Sequence, residues 1–168
     1  MASEVFVYTM TSVGGVGAWS RYLFPFTIQA FARLGETLYI RTGDDVLRLS
    51  HATTLDYAGD PRAEPVLGMV QWPWLDMGQL GRSKMMVGFD IVADGQTNVS
   101  FGTNQSNLTA FTIPCLVPSD SVPGMIIPMP LLAPSVSVKV EFPAIGGLGQ
   151  PWELKALNVY LSDQRMMA

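Results

Sequence analysis

The alternation of apolar and polar positions carries most of the information in this chain. Over residues 135–142, Val136, Val138, Val140 and Phe142 alternate with Ser135, Ser137, Lys139 and Glu141. A period of two marks an antiparallel strand with one face buried. Trp152, Leu154 and Ala156 follow the same rule, but Leu157, Val159 and Leu161 resume it one position out of phase. A one-residue slip turns every later side chain to the other face, so the spacing predicts a β-bulge or a switch of buried face at 156–157. The full set of strands predicted in this half is 66–75, 84–92, 97–102, 108–113, 135–142 and 152–161. Between positions 114 and 134 lie six prolines, at 114, 118, 123, 128, 130 and 134. Proline donates no N–H to a ladder, so this segment is excluded as a central strand or helix. It reads as a long extended crossover of the kind used in Greek-key sandwiches.

The first fifty residues carry shorter signals. Residues 4–9 are β-branched and aromatic, and 18–24 holds Trp19 and Tyr22 before Pro25; both predict strands. Residues 26–33 fit either period: Phe26, Ile28 and Ala30 alternate, whereas Ile28, Phe31 and Ala32 share a helical face. Without an N-cap, strand is the favoured reading. Residues 38–49 predict a β-hairpin, with Leu38 and Ile40 on one face and Gly43 free to adopt positive φ in the turn. Three or four short strands in this length suit a small propeller-blade-like β module. Residues 51–64, with Asp56, Gly59, Asp60 and Pro61, read as a linker. The expected organisation is all-β: a propeller-blade-like β module at 1–50, a linker at 51–64 and an antiparallel β-sandwich at 65–168.

Composition sharpens this reading. The chain has 168 residues, 48% of them hydrophobic, enough for a packed core. Only 14% are charged, against about 25% in ordinary domains. With ten methionines besides, part of the surface is expected to be buried against other subunits. The net charge of −4 opposes tight binding to phosphate backbones, which needs clustered Lys and Arg. The single cysteine, Cys115, excludes an intrachain disulfide and sits in an apolar run as an expected core thiol. No apolar run reaches the roughly 18 residues of a membrane span, and no signal peptide is expected at the N-terminus.

Candidate chemistry is sparse. Gly14, Gly15 and Gly17 are not followed by the Gly-Lys-Ser/Thr of a phosphate loop. Asp44 and Asp45 beside Gly43 suit a turn more simply than a calcium corner. His51, the one histidine, has no carboxylate or cysteine cluster around it in sequence. No nucleophile stands beside a base. The chain is therefore expected not to be an enzyme, with no catalytic residue, no cofactor and no metal site.

What remains is the aromatic stretch at 68–92. Trp72 and Trp74 flank Pro73, whose missing N–H implies an edge strand or a local break. The two indoles are either core anchors or, with Trp152, a stacking surface for a sugar or a partner protein. That second possibility leaves a carbohydrate- or receptor-binding β-sandwich module as the alternative function.

The same stretch carries a family resemblance. Trp72-Pro-Trp-Leu-Asp-Met-Gly78, the run at 84–92, the segment at 105–111 and the closing Asn158-Val-Tyr-Leu-Ser-Asp163 together resemble the C-terminal region of the short-tailed phage (podovirus) tail hub family. That family is also called the nozzle or packaged-DNA stabilisation protein. Its members are several times longer, so this chain would correspond to a fragment, a split gene product or a reduced version. The resemblance implies a structural virion protein located in the phage tail. It implies a homo-oligomeric ring of six or twelve copies that meets other tail or portal-adaptor proteins. It also implies a conduit for genome ejection, along which DNA passes without specific binding. No catalytic residue is implied.

Overall fold

Short β-branched and aromatic runs separated by Gly and Pro give strands and nothing else: among the described residues no helix occurs. A computed structural model describes residues 2–9, 18–50, 55–56, 61, 63–76, 78, 81–118, 124–146 and 149–162. Two units are present, Met1–Ala52 and Thr53–Ala168. The glycine loop at 14–17 and His51 lie outside the described residues.

In the first unit, β1 (Ser3–Thr9) and β2 (Ala18–Phe24) form an antiparallel two-stranded ribbon. β3 (Ala30–Leu34), β4 (Thr37–Thr42) and β5 (Asp45–Arg48) form a three-stranded meander. The ambiguous 26–33 segment is strand from Ala30 onward, not helix. Both links are two-residue turns whose first residue is a glycine at positive φ, Gly35 at 62° and Gly43 at 59°, as tight hairpins require. Phe31, Ile40 and Leu47 form one cross-strand row. Of the unit's described hydrophobic side chains, Ile40 alone is buried. Among the described residues a two-stranded ribbon and a small meander leave most of their apolar side chains exposed.

The second unit begins with a two-rung ladder, β6 (Leu55–Asp56) against β7 (Glu64–Pro65). The stretch read as a linker, 51–64, supplies most of this ladder: Leu55 pairs with Pro65 and Asp56 with Glu64. The remaining strands are β8 (Gly68–Gln71), β9 (Lys84–Asp94), β10 (Thr97–Gly102), β11 (Cys115–Val117), β12 (Ile127–Ala133), β13 (Ser137–Phe142) and β14 (Glu153–Leu161). They form two antiparallel sheets, ordered β11-β10-β13-β8 and β12-β9-β14. Their inner faces meet in one core, the layered solution by which two half-apolar sheets bury themselves.

The period of two is realised in that core. Val136, Val138, Val140 and Phe142 point inward, Val138 opposite Phe101 and Val140 opposite Val99. Phe89, Ile91 and Ala93 answer from β9, and the Phe89 and Phe101 rings meet at 5.3 Å. Each fully buried side chain of this size contributes roughly 1.5–3 kcal/mol. Cys115 is half-buried against the same cluster.

Two predicted elements differ. Residues 108–113 are not a strand; their ladder contact is the single Phe111–Gly102 bridge. The proline-rich 114–134 segment is not a plain crossover, because β11 and β12 lie in it. Both are edge strands, where a missing N–H costs no ladder bond if it faces outward. β12 shows the consequence: its register breaks between Pro128 and Leu131. Pro73 acts the same way. β8 is the edge of its sheet and stops at Gln71, and pairing resumes only at the Leu75–Val136 bridge. The predicted phase slip in the last strand is a bulge between Leu154 and Ala156. It moves the core-facing set from Leu154 to Leu157 and Val159.

Candidate functional site

The break at Pro73 decides where the two neighbouring indoles go. The Trp72 N–H donates to the Val138 carbonyl at 2.9 Å, and its own carbonyl accepts the Ser137 hydroxyl at 2.8 Å. Its ring packs against the core cluster. Trp74 takes the other side: its Cη2 stands 3.1 Å from where a Cβ on Gly102 would lie, next to the Phe111 ring. Gly102 faces away from the core, since its neighbour Phe101 faces inward. Trp74 is thus half-buried on an outer face, not a core anchor. A Lys139 ammonium lies 5.0 Å from the centroid of the Phe111 ring, a cation–π distance. Trp72 and Trp74 therefore do not form one platform.

Trp152 sits at the opposite end of β8. Its indole stacks on Phe142 at 4.7 Å and 22° and covers Gly68, the ladder partner of Phe142. A Cβ on Gly68 would lie 2.5 Å from the Trp152 ring carbon Cζ2, so only glycine admits this approach. The segment before it is clamped. Gln150 Oε1 accepts the Gln96 N–H at 2.8 Å, and its Nε2 donates to the carbonyls of Gln96 and Pro143 at 2.9 and 2.8 Å. Between them, Gly95 at φ 89° comes so close that a Cβ would lie 2.8 Å from the Pro151 carbonyl oxygen. Even so, Trp152 remains 39% exposed. With Asp94, Gly95, Gln150, Pro151 and Glu153 it lines an open concavity of about 470 Å³. Lys155 stands among the acids, 2.7 Å from Asp94 and 3.7 Å from Glu153. The hydrogen bond to Asp94, then that carboxylate's charge, raises the Lys155 pKa. All three groups are largely open to water, so these pairs contribute little to stability.

A carboxylate is also buried. Asp90 is 2% exposed; its Oδ2 accepts the Gly124 N–H at 2.8 Å and the Tyr160 hydroxyl at 3.3 Å. Its Oδ1 has no partner among the described residues. Burial first, and Asp90 beside it second, push the Tyr160 phenol pKa up. Among the described residues no group of three or more His, Cys, Asp or Glu is placed to hold a metal ion. No helix among them is long and apolar enough to cross a membrane.

The first unit presents chemistry of another kind. Phe6, Tyr8, Tyr22 and Leu23 on the ribbon, and Phe31, Leu34 and Val46 on the meander, are all exposed. Sequence reading places these residues on strands but does not show that they stay exposed. It also misses Gly68, Phe142 and Gln150 as the support of Trp152. The Gln150 partners are backbone atoms as far as 54 residues away, which no local pattern signals. No known family, curated protein or solved structure matches the chain.

Proposed function

We propose that the chain is a structural virion protein, a ring-forming subunit of a short phage tail lining part of the conduit through which DNA leaves. The observation that carries this reading is the first unit, where five strands bury only Ile40 among their described hydrophobic residues. Phe6 at 61%, Leu23 at 64% and Leu34 at 74% exposure form apolar surface of a kind that marks interaction sites. Open strand edges pair with a neighbouring chain unless they are blunted, commonly by lysine. The first unit has no lysine at all. Its Arg21, Arg33, Arg41 and Arg48 balance Glu4, Glu36, Asp44 and Asp45, so the formal −4 belongs to residues 53–168. A neutral apolar unit can approach its own copies without repulsion, and a closed ring covers the same edges in every copy. The acidic remainder suits a channel that does not grip phosphate. The resemblance at 72–78 and 158–163 supplies the tail context and the expectation of six or twelve copies.

The test is imaging of virions with the protein in place. A symmetric ring of copies, with the first units at the seams, is expected. Single asymmetric copies would overturn the reading.

A further inference from the structure

The corner built around Trp152 leaves a partly exposed indole beside Asp94, Glu153 and Lys155. We infer that it is a binding site for a neutral saccharide, which stacks on Trp152 and shares hydroxyl hydrogen bonds with Asp94, Glu153 and Lys155.

The platform is rigid from behind. One face of the indole rests on Phe142, the ring lies over the bare backbone of Gly68, and the chain leading into it is held by the three hydrogen bonds of Gln150. A site organised in advance loses little entropy when a ligand arrives. Trp152, 39% exposed as a residue, is among the residues that line a concavity of about 470 Å³. That volume lies within the roughly 300–1,000 Å³ of small-molecule sites.

The charges select the ligand class. An anion such as phosphate would meet Asp94 and Glu153, each with a side chain 64% exposed, and be repelled. A cation would compete with Lys155, already 2.7 Å from Asp94. A polyol meets neither obstacle. Its hydroxyls donate to the carboxylates and accept from the ammonium, while its C–H face lies on the indole, the amphipathic contact for which tryptophan is suited. The concavity lies wholly within the second unit, so the outcome does not depend on ring formation.

Saturation-transfer NMR on the full chain with cellohexaose, maltohexaose and chitohexaose tests this, together with retention on insoluble cellulose and chitin. Transfer to at least one soluble hexaose is expected, pointing to an oligosaccharide ligand. Retention on a polymer alone would support the site and assign it to polysaccharide chains. Trp152→Phe, which keeps a ring on Phe142 but shrinks the platform, should weaken binding at least tenfold. Asp94→Ala, an exposed position that leaves the fold intact, should do the same and keeps the test sound if the tryptophan variant misfolds. Absence of transfer at 10 mM hexaose and of retention on either polymer would overturn the inference. So would binding that is unchanged in both variants.

Discussion

Gly68→Ala is the sharpest probe of the Trp152 corner. The added methyl would lie 2.5 Å from the Trp152 ring carbon Cζ2 and 3.0 Å from Cδ2, well inside van der Waals contact, so either the indole or β8 must move. Displacing the indole costs the stack on Phe142 at 4.7 Å, worth about 0.5–1.5 kcal/mol. Forcing a methyl into a filled site costs about 1–3 kcal/mol. Against this, replacing glycine lowers the entropy of the unfolded chain by about 0.4–1 kcal/mol. The balance is a loss of about 1–2 kcal/mol, or about 4–8 °C in Tm for a domain of this size. Urea and thermal denaturation of the parent, Gly68→Ala, Trp152→Ala and the double variant would close a cycle that isolates the contact. With Trp152 truncated, the methyl at 68 no longer meets the indole, and its cost should vanish or change sign. Equal destabilisation in both backgrounds would refute the contact and with it the rigid platform.

Trp74→Ala should cost about 1.5–2.5 kcal/mol in urea denaturation, less than the roughly 3–5 of a fully buried aromatic, because the ring is half-buried against Gly102 and Phe111. Tyr160 should titrate above the ordinary phenol value of 10.0. A folded pKa raised in this way contributes stability below the unfolded value and loses it as pH rises through the folded one. Stability should therefore fall in the alkaline range above 10, and Asp90→Asn should bring the absorbance titration of Tyr160 down. Asp56, opposite Glu64 in the β6–β7 ladder, has a pKa raised by burial and then by that neighbour. By the same sign, its contribution is present below 3.8 and lost as pH rises, so Glu64→Gln should stabilise the fold above that window and lower the Asp56 pKa by NMR titration.

The sandwich was legible where one face of a strand is buried. β13 and β14 follow their alternation because burial and period agree there, whereas β10 coincides with its predicted span although both its faces are buried. The bulge in β14 was visible as a phase slip before any partner was known. β11 and β12 were hidden by their prolines, since a rule that excludes central strands says nothing about edges. The candidate rings were visible as residues but not as an arrangement. Whether Trp72 and Trp74 act together depends on a ladder break at Pro73 and on a glycine, Gly102, contributed by another strand.

The order of strands has a consequence for how the second unit comes into being. Among the described residues β9, the middle of its sheet, pairs with β12 and β14, and β8 pairs with β13. Trp72 and its partner Ser137 are 65 residues apart, and Asp90 and Asn158 are 68 apart. Contacts of this reach pay loop-closure entropy before they return anything, which makes folding slow. During synthesis β9 emerges with no partner until β12 follows and β8 with none until β13 follows, and the second sheet is complete only when the chain through residue 161 has left the ribosome. Loss of β14, an edge strand, would leave the central strand β9 with β12 as its one remaining neighbour in that sheet, uncovering Phe89 and Ile91 to whatever else is in the cell.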